Sequence, residues 1–111
     1  MKDLQALRGD IDAIDREMVE LFRRRMDVTR RVGEYKRERG IPVLDQARER
    51  QVLQNKGELA GEELRPAVIT LFQTIMAISR RQQRDLMGQG TDNPGLRPSA
   101  EHYRELGEAY R

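Results

Sequence analysis

A single stripe of side chains narrows the fold more than anything else in the chain. Leu4, Leu7, Ile11, Ile14, Met18, Leu21, Arg25, Val28, Val32 and Tyr35 follow one another at alternating steps of three and four. That spacing lines side chains along one face of an α-helix and, kept up over this length, makes a heptad seam. It predicts one continuous helix from residue 4 to about 38. At 1.5 Å per residue such a helix runs about 50 Å, longer than a domain of this size is wide. Part of its apolar face therefore calls for a partner chain. Arg39, Gly40 and Pro42 mark its end.

Composition sharpens that expectation. The chain has 111 residues, of which 37% are hydrophobic and 5% aromatic, with no Trp. That is one domain with a core too thin for a comfortable monomer. The absence of Cys excludes disulfides, thiol nucleophiles and thiolate metal sites, and the lone His102 cannot build a histidine cluster, so no metal is expected. The opening MKDLQALRGD has no apolar signal core, and the longest uncharged run, Pro66 to Ser79, is too short to span a bilayer. A cytoplasmic protein, soluble and off the membrane, is the expectation. The net charge of +2 is small for a chain that is 36% charged, yet 18 Arg stand against 3 Lys. Arginine favours planar, bidentate anion recognition, which points to carboxylate or phosphate partners.

Two further helices are legible. Asp45 is a good N-cap for a second helix running to about Lys56, with Gly57 as its stop and residues 58–65 as a loop. Pro66 suits the first turn of a third helix, which carries Val68, Phe72, Ile75 and Leu86 on one face and ends near Met87. The fold class is thus all-α, with helices of long, short and long length in residues 1–88 and a partner chain called for along part of the long helix. Residues 89–111 differ in character. GQGTDNPGLRPS reads as a flexible linker, and SAEHYRELGEAYR after it as a short helix, a disordered tail or the start of a fused domain.

The polar breaks in the apolar faces carry the functional signal. Arg25 sits in the seam, where it either snorkels, pairs with an acid on another helix or binds an anion. Ser79 and Gln83 continue the stripe Val68, Phe72, Ile75 at core positions, and a buried Ser bonding back to the backbone is the ordinary explanation. Lys36 lies three turns after Arg25 on nearly the same side, about 16 Å along the axis, so the two long side chains can hold a small dianion between them. Gly33, one turn before Lys36, costs the helix about 1 kcal/mol, which suggests a close neighbour there. The cluster Arg48, Glu49, Arg50 opens the second helix, and either wets a surface or reaches into a pocket.

Taken together, LRGDIDAIDREMVELFRRRM, VGEYK, IPVLDQARERQVL and LFQTIMAISRRQQ resemble the all-α class of chorismate mutases over residues 4–87. The resemblance implies an intertwined helical homodimer, its long helices interlocked, with two active sites that convert chorismate to prephenate on the route to Phe and Tyr. It implies a pocket built from Arg8, Arg25, Lys36, Asp45, Arg48, Glu49, Ser79 and Gln83. In it Arg25 and Arg8 would clamp one carboxylate, Arg48 with Ser79 the other, Glu49 and the Asp45 backbone would hold the ring hydroxyl, and Lys36 and Gln83 would donate to the ether oxygen. On this reading Arg48 and Glu49 face inward and Arg50 faces solvent. The [3,3] rearrangement is unimolecular and needs no nucleophile, base or cofactor, only a frozen conformation and stabilisation of the charge growing on the ether oxygen. Arg8 lies about 26 Å before Arg25 on the same helix, too far for one small ligand to touch both, so Arg8 must come from the other protomer.

Two alternatives stay open. The isochorismate-pyruvate lyases share this fold, though they tend to carry an apolar residue where Glu49 stands. From another class, the Arg clusters at 23–25, 30–31 and 80–81 could make a basic helical dimer for nucleic acid. Interspersed acids such as Asp27, Glu34 and Glu38 weigh against it, and no nucleic-acid partner is expected.

Overall fold

The computed structural model describes residues 3–88, which form three α-helices and, among the described residues, no strands. The expected linker and tail, 89–111, lie outside the described residues. Helix α1 spans Leu4–Arg39, α2 Gln46–Ala60 and α3 Arg65–Leu86. Each boundary has a local chemical cause. The Asp3 carboxylate caps α1 by accepting from Ala6 N–H at 2.7 Å. At the other end Gly40 takes the left-handed conformation, φ 65°, while Ile41 N–H reaches back to the Lys36 carbonyl at 2.9 Å. Lys36, Arg37 and Arg39 in the last turn oppose the negative end of the helix dipole.

The second helix departs from expectation at one point. Gly57 is not its stop: α2 continues to Ala60, and Gly61, at φ 83°, caps it. Gly57 is buried, and a Cβ there would stand 3.2 Å from Arg65 Cγ and 3.4 Å from Ile69 Cδ1. It is a glycine of close approach, letting α3 lie tightly on α2. The loop shrinks accordingly to Gly61–Leu64, and Pro66 falls in the first turn of α3 as anticipated.

Helix α3 is the shared partner, packing against both α1 and α2. Its contact with α1 runs through Gly33, which is buried because a Cβ there would sit 2.9 Å from Gln83 Cγ and 3.2 Å from Leu86 Cδ1. The core is small. Among the described residues only Val43, Val52 and Met76 are buried apolar side chains, and Ser79 and Gln83 are buried beside them. The first half of α1 leaves its seam uncovered within the chain: Leu4, Ile11 and Ile14 are 62%, 55% and 56% exposed. No helix among the described residues is long and apolar enough to cross a membrane.

Candidate active site

Helices α1, α2 and α3 and the loop before α2 line an open-sided cavity of about 320 Å³. Arg25, Lys36, Asp45, Arg48, Glu49, Ser79 and Gln83 all line it, so seven of the eight candidate residues come together. Val28 and Val32 from α1, Val43, Val52 and Met76 supply its apolar wall. Arg8 is exposed on the first half of α1 and does not line the cavity of its own chain. Arg50 is likewise exposed and outside the lining, whereas Arg48 and Glu49 are within it.

Each polar side chain is positioned by a bond the sequence makes possible. Arg25 Nη1 donates to Ser79 Oγ at 3.0 Å, and Ser79 Oγ donates in turn to the Ile75 carbonyl at 3.0 Å. Ser79 thus makes the ordinary backbone bond of a buried helical Ser and serves Arg25 as well. Lys36 Nζ donates to the Val43 carbonyl at 2.8 Å, tying the end of α1 to the loop that leads into α2. An ammonium has three hydrogens, so two stay available to the cavity. Gln83 Nε2 donates to the Thr29 carbonyl at 2.8 Å, which leaves its second N–H free to point elsewhere. Gln82, one residue earlier, locks the same stretch of α1: it accepts from Thr29 Oγ1 at 2.8 Å and donates to the Met26 carbonyl at 2.9 Å. Asp45 accepts from Arg48 N–H at 3.0 Å as the N-cap of α2. That bond fixes where Arg48 and Glu49 emerge from the first turn.

Electrostatically the cavity is overloaded with positive charge. Among the described residues no carboxylate lies within ion-pair distance of Arg25, Lys36 or Arg48. Burial, and after it the neighbouring Arg48 guanidinium, pulls the Arg25 pKa below its ordinary value. Both causes disfavour the cation, and the charge of an entering anion would offset both. The alternative of an acid partner for Arg25 is not what the fold provides.

Sequence reasoning missed Arg80, which it placed in a surface basic cluster. Arg80 lines the cavity, and its Nη1 meets Glu49 Oε1 at 2.5 Å, joining α3 to α2. The signal was present in the spacing, since Arg80 follows Met76 by four residues and precedes Gln83 by three, on the same helix face. Elsewhere in the basic clusters, Arg30 pairs with Asp27 and Glu34, and Arg31 with Asp27, so much of that charge is neutralised locally.

Residues 7–84 match the family model for chorismate mutase type II. The chain belongs to that family. It is 34% identical over 89 residues to a 4-amino-4-deoxychorismate mutase from Streptomyces pristinaespiralis, a match that covers 78% of this chain and 69% of the relative. It is 39% identical over 54 residues to a T-protein from Haemophilus influenzae, covering 49% of this chain and 14% of that protein. A bifunctional chorismate mutase/prephenate dehydratase from Aquifex aeolicus is 29% identical over 82 residues, 69% of this chain and 23% of the relative. No solved structure matches the chain. Membership of the family implies isomerase activity, and the relatives' names leave the substrate open between chorismate and 4-amino-4-deoxychorismate.

Proposed function

We propose that the protein is a chorismate mutase, an isomerase that rearranges chorismate to prephenate and so serves Phe and Tyr synthesis. The observation that carries this reading is the convergence of Arg25, Lys36 and Arg48 on one cavity with no acid paired to any of them among the described residues. Two carboxylates on a compact ring are the complement of such a site. Arg25 would take one carboxylate and Arg48 the other, with Ser79 fixing the Arg25 guanidinium. Lys36 and the second N–H of Gln83 would donate to the ether oxygen as its C–O bond breaks and negative charge gathers there. The apolar wall of Val28, Val32 and Met76 would press the flexible side chain of the substrate over its ring, where the new C–C bond forms.

The working unit in this proposal is a homodimer. Six seam residues of the first half of α1, Leu4, Leu7, Ile11, Ile14, Met18 and Leu21, are 46–62% exposed. Covering what remains exposed contributes about 1 kcal/mol each, or about 12 kcal/mol for two chains. That offsets a mid-range association cost of about 10 kcal/mol. A second copy laid along this face would also carry its own Arg8 to the cavity and complete the clamp on the first carboxylate.

A second reading, rearrangement of 4-amino-4-deoxychorismate, is favoured by the name of the Streptomyces pristinaespiralis relative. The test is to incubate the purified chain with each substrate and identify the product. Prephenate from chorismate is the expected outcome. Release of pyruvate from isochorismate, with chorismate untouched, would make the protein a lyase instead.

A further inference from the structure

We propose that Arg80 sets the ring-substituent preference of the site: by occupying the Glu49 carboxylate it admits a neutral hydroxyl on the substrate ring and disfavours an ammonium in its place. The inference rests on the mutase reading above, and Arg80 acts through Glu49 as a positioning residue.

The geometry is specific. Arg80 reaches from α3 across the cavity wall to Glu49 in the first turn of α2, Nη1 to Oε1 at 2.5 Å. The two side chains are 26% and 24% exposed, against 45% for each partner in the Arg30–Asp27 pair on the surface of α1. Solvent therefore screens the Arg80–Glu49 pair less, and its charges are felt more strongly inside the cavity. With Oε1 taken by the guanidinium, Glu49 still offers Oε2 as an acceptor, which is all a hydroxyl requires. An ammonium requires more. It must draw compensation from a carboxylate whose charge Arg80 already opposes, in a cavity where another cation is unwelcome.

Counting the lining residues gives the same answer. Arg25, Lys36, Arg48 and Arg80 stand against Asp45 and Glu49, four cations and two carboxylates, an excess of +2. A dianion that carries a hydroxyl cancels that excess, whereas the amino analogue, once its amine is protonated, brings one negative charge fewer. Arg8 from a second copy would raise the excess by one and leave the amino analogue still one positive charge worse off than the hydroxyl substrate. Replacing Arg80 by an apolar chain of similar length frees Glu49 to pair with an ammonium and lowers the positive excess by one. Both changes act in the same direction.

The experiment compares kcat/KM for chorismate and for its 4-amino analogue in the full-length protein, in Arg80→Met and in Arg80→Lys. The ratio of the two constants is taken on one preparation, so partial unfolding of a variant cancels. The parent should favour chorismate, Arg80→Met should move the ratio at least tenfold toward the amino analogue, and Arg80→Lys, which keeps the cation, should stay near the parent. An Arg80→Met ratio within twofold of the parent's overturns the role of Arg80 while leaving the mutase reading intact. A parent that prefers the amino analogue contradicts the charge count. A parent that turns over neither substrate removes the mutase reading and this inference with it.

Discussion

The two halves of α1 obey the same helical spacing and do opposite things. From Leu4 to Leu21 the seam is apolar at every step, and every one of those side chains is exposed within the chain. From Arg25 to Tyr35 the stripe is interrupted by a cation and flanked by Gly33 and Lys36; its apolar members Val28, Val32 and Tyr35 are exposed as well, but α3 meets this half through Arg25, Met26, Thr29 and Gly33. A regular apolar stripe therefore does not say what a helix packs on. Here the regular half is left for another copy to bury, in the dimer proposed above, and the irregular half makes the cavity. On the proposed function the irregularities follow from the task, because a site for a dianion needs cations where a core would put Leu.

The contrast breaks most visibly at Lys36. If the second half of α1 carries the chemistry, Lys36→Ala should lower kcat at least a hundredfold, about 3 kcal/mol in activation free energy. The folding cost should be that of one hydrogen bond to Val43, about 1 kcal/mol, read as a small fall in Tm. A variant with near-parental kcat and unchanged melting would place the chemistry elsewhere.

A glycine from each half sharpens the comparison at smaller amplitude. Gly33→Ala gains about 1 kcal/mol of helix propensity but drives a Cβ to 2.9 Å from Gln83 Cγ, and overpacking of that kind costs about 1–3 kcal/mol. The net should be a loss of about 1 kcal/mol, with a fall in kcat because Gln83 is displaced. Gly9 has nothing within 4 Å of where its Cβ would be, and it lies on the side of α1 away from the seam. Gly9→Ala should therefore stabilise by up to about 1 kcal/mol and leave kcat alone. Thermal melts and initial rates on the two variants check both signs; shifts in the same direction would erase the difference between the halves.

Much of this architecture was readable before any coordinates, and the reason is local. Asp45 and Gly40 set helix ends by hydrogen bonds within a few residues of themselves, so the sequence alone suffices to find them. The same local logic misassigned Gly57. A glycine four residues before another is ambiguous as a stop, and only the approach of Arg65 and Ile69 from α3 shows that it serves packing. Arg80 was hidden for a related reason. Beside Arg81 it looks like surface charge, and its significance comes from Glu49, 31 residues earlier and on another helix. The partner of Arg25 was equally a tertiary matter, since it is a neutral hydroxyl on α3, and not an acid on another helix, that takes the guanidinium. The place of Arg8 was an implication of the resemblance, to which helix arithmetic adds that Arg8 is too far along α1 to reach the cavity of its own chain.

That arithmetic leads to the most direct test of the shared pocket. Arg8→Ala and Arg25→Ala proteins are prepared separately, each expected to be nearly inactive because every pocket lacks one arginine. The two are then refolded together, and activity is measured alongside the fraction of heterodimer. If each pocket is built from two chains, a heterodimer holds one pocket with both arginines and one with neither, and activity should return toward half of the parent's per heterodimer. Heterodimers that form and stay inactive would contradict the account.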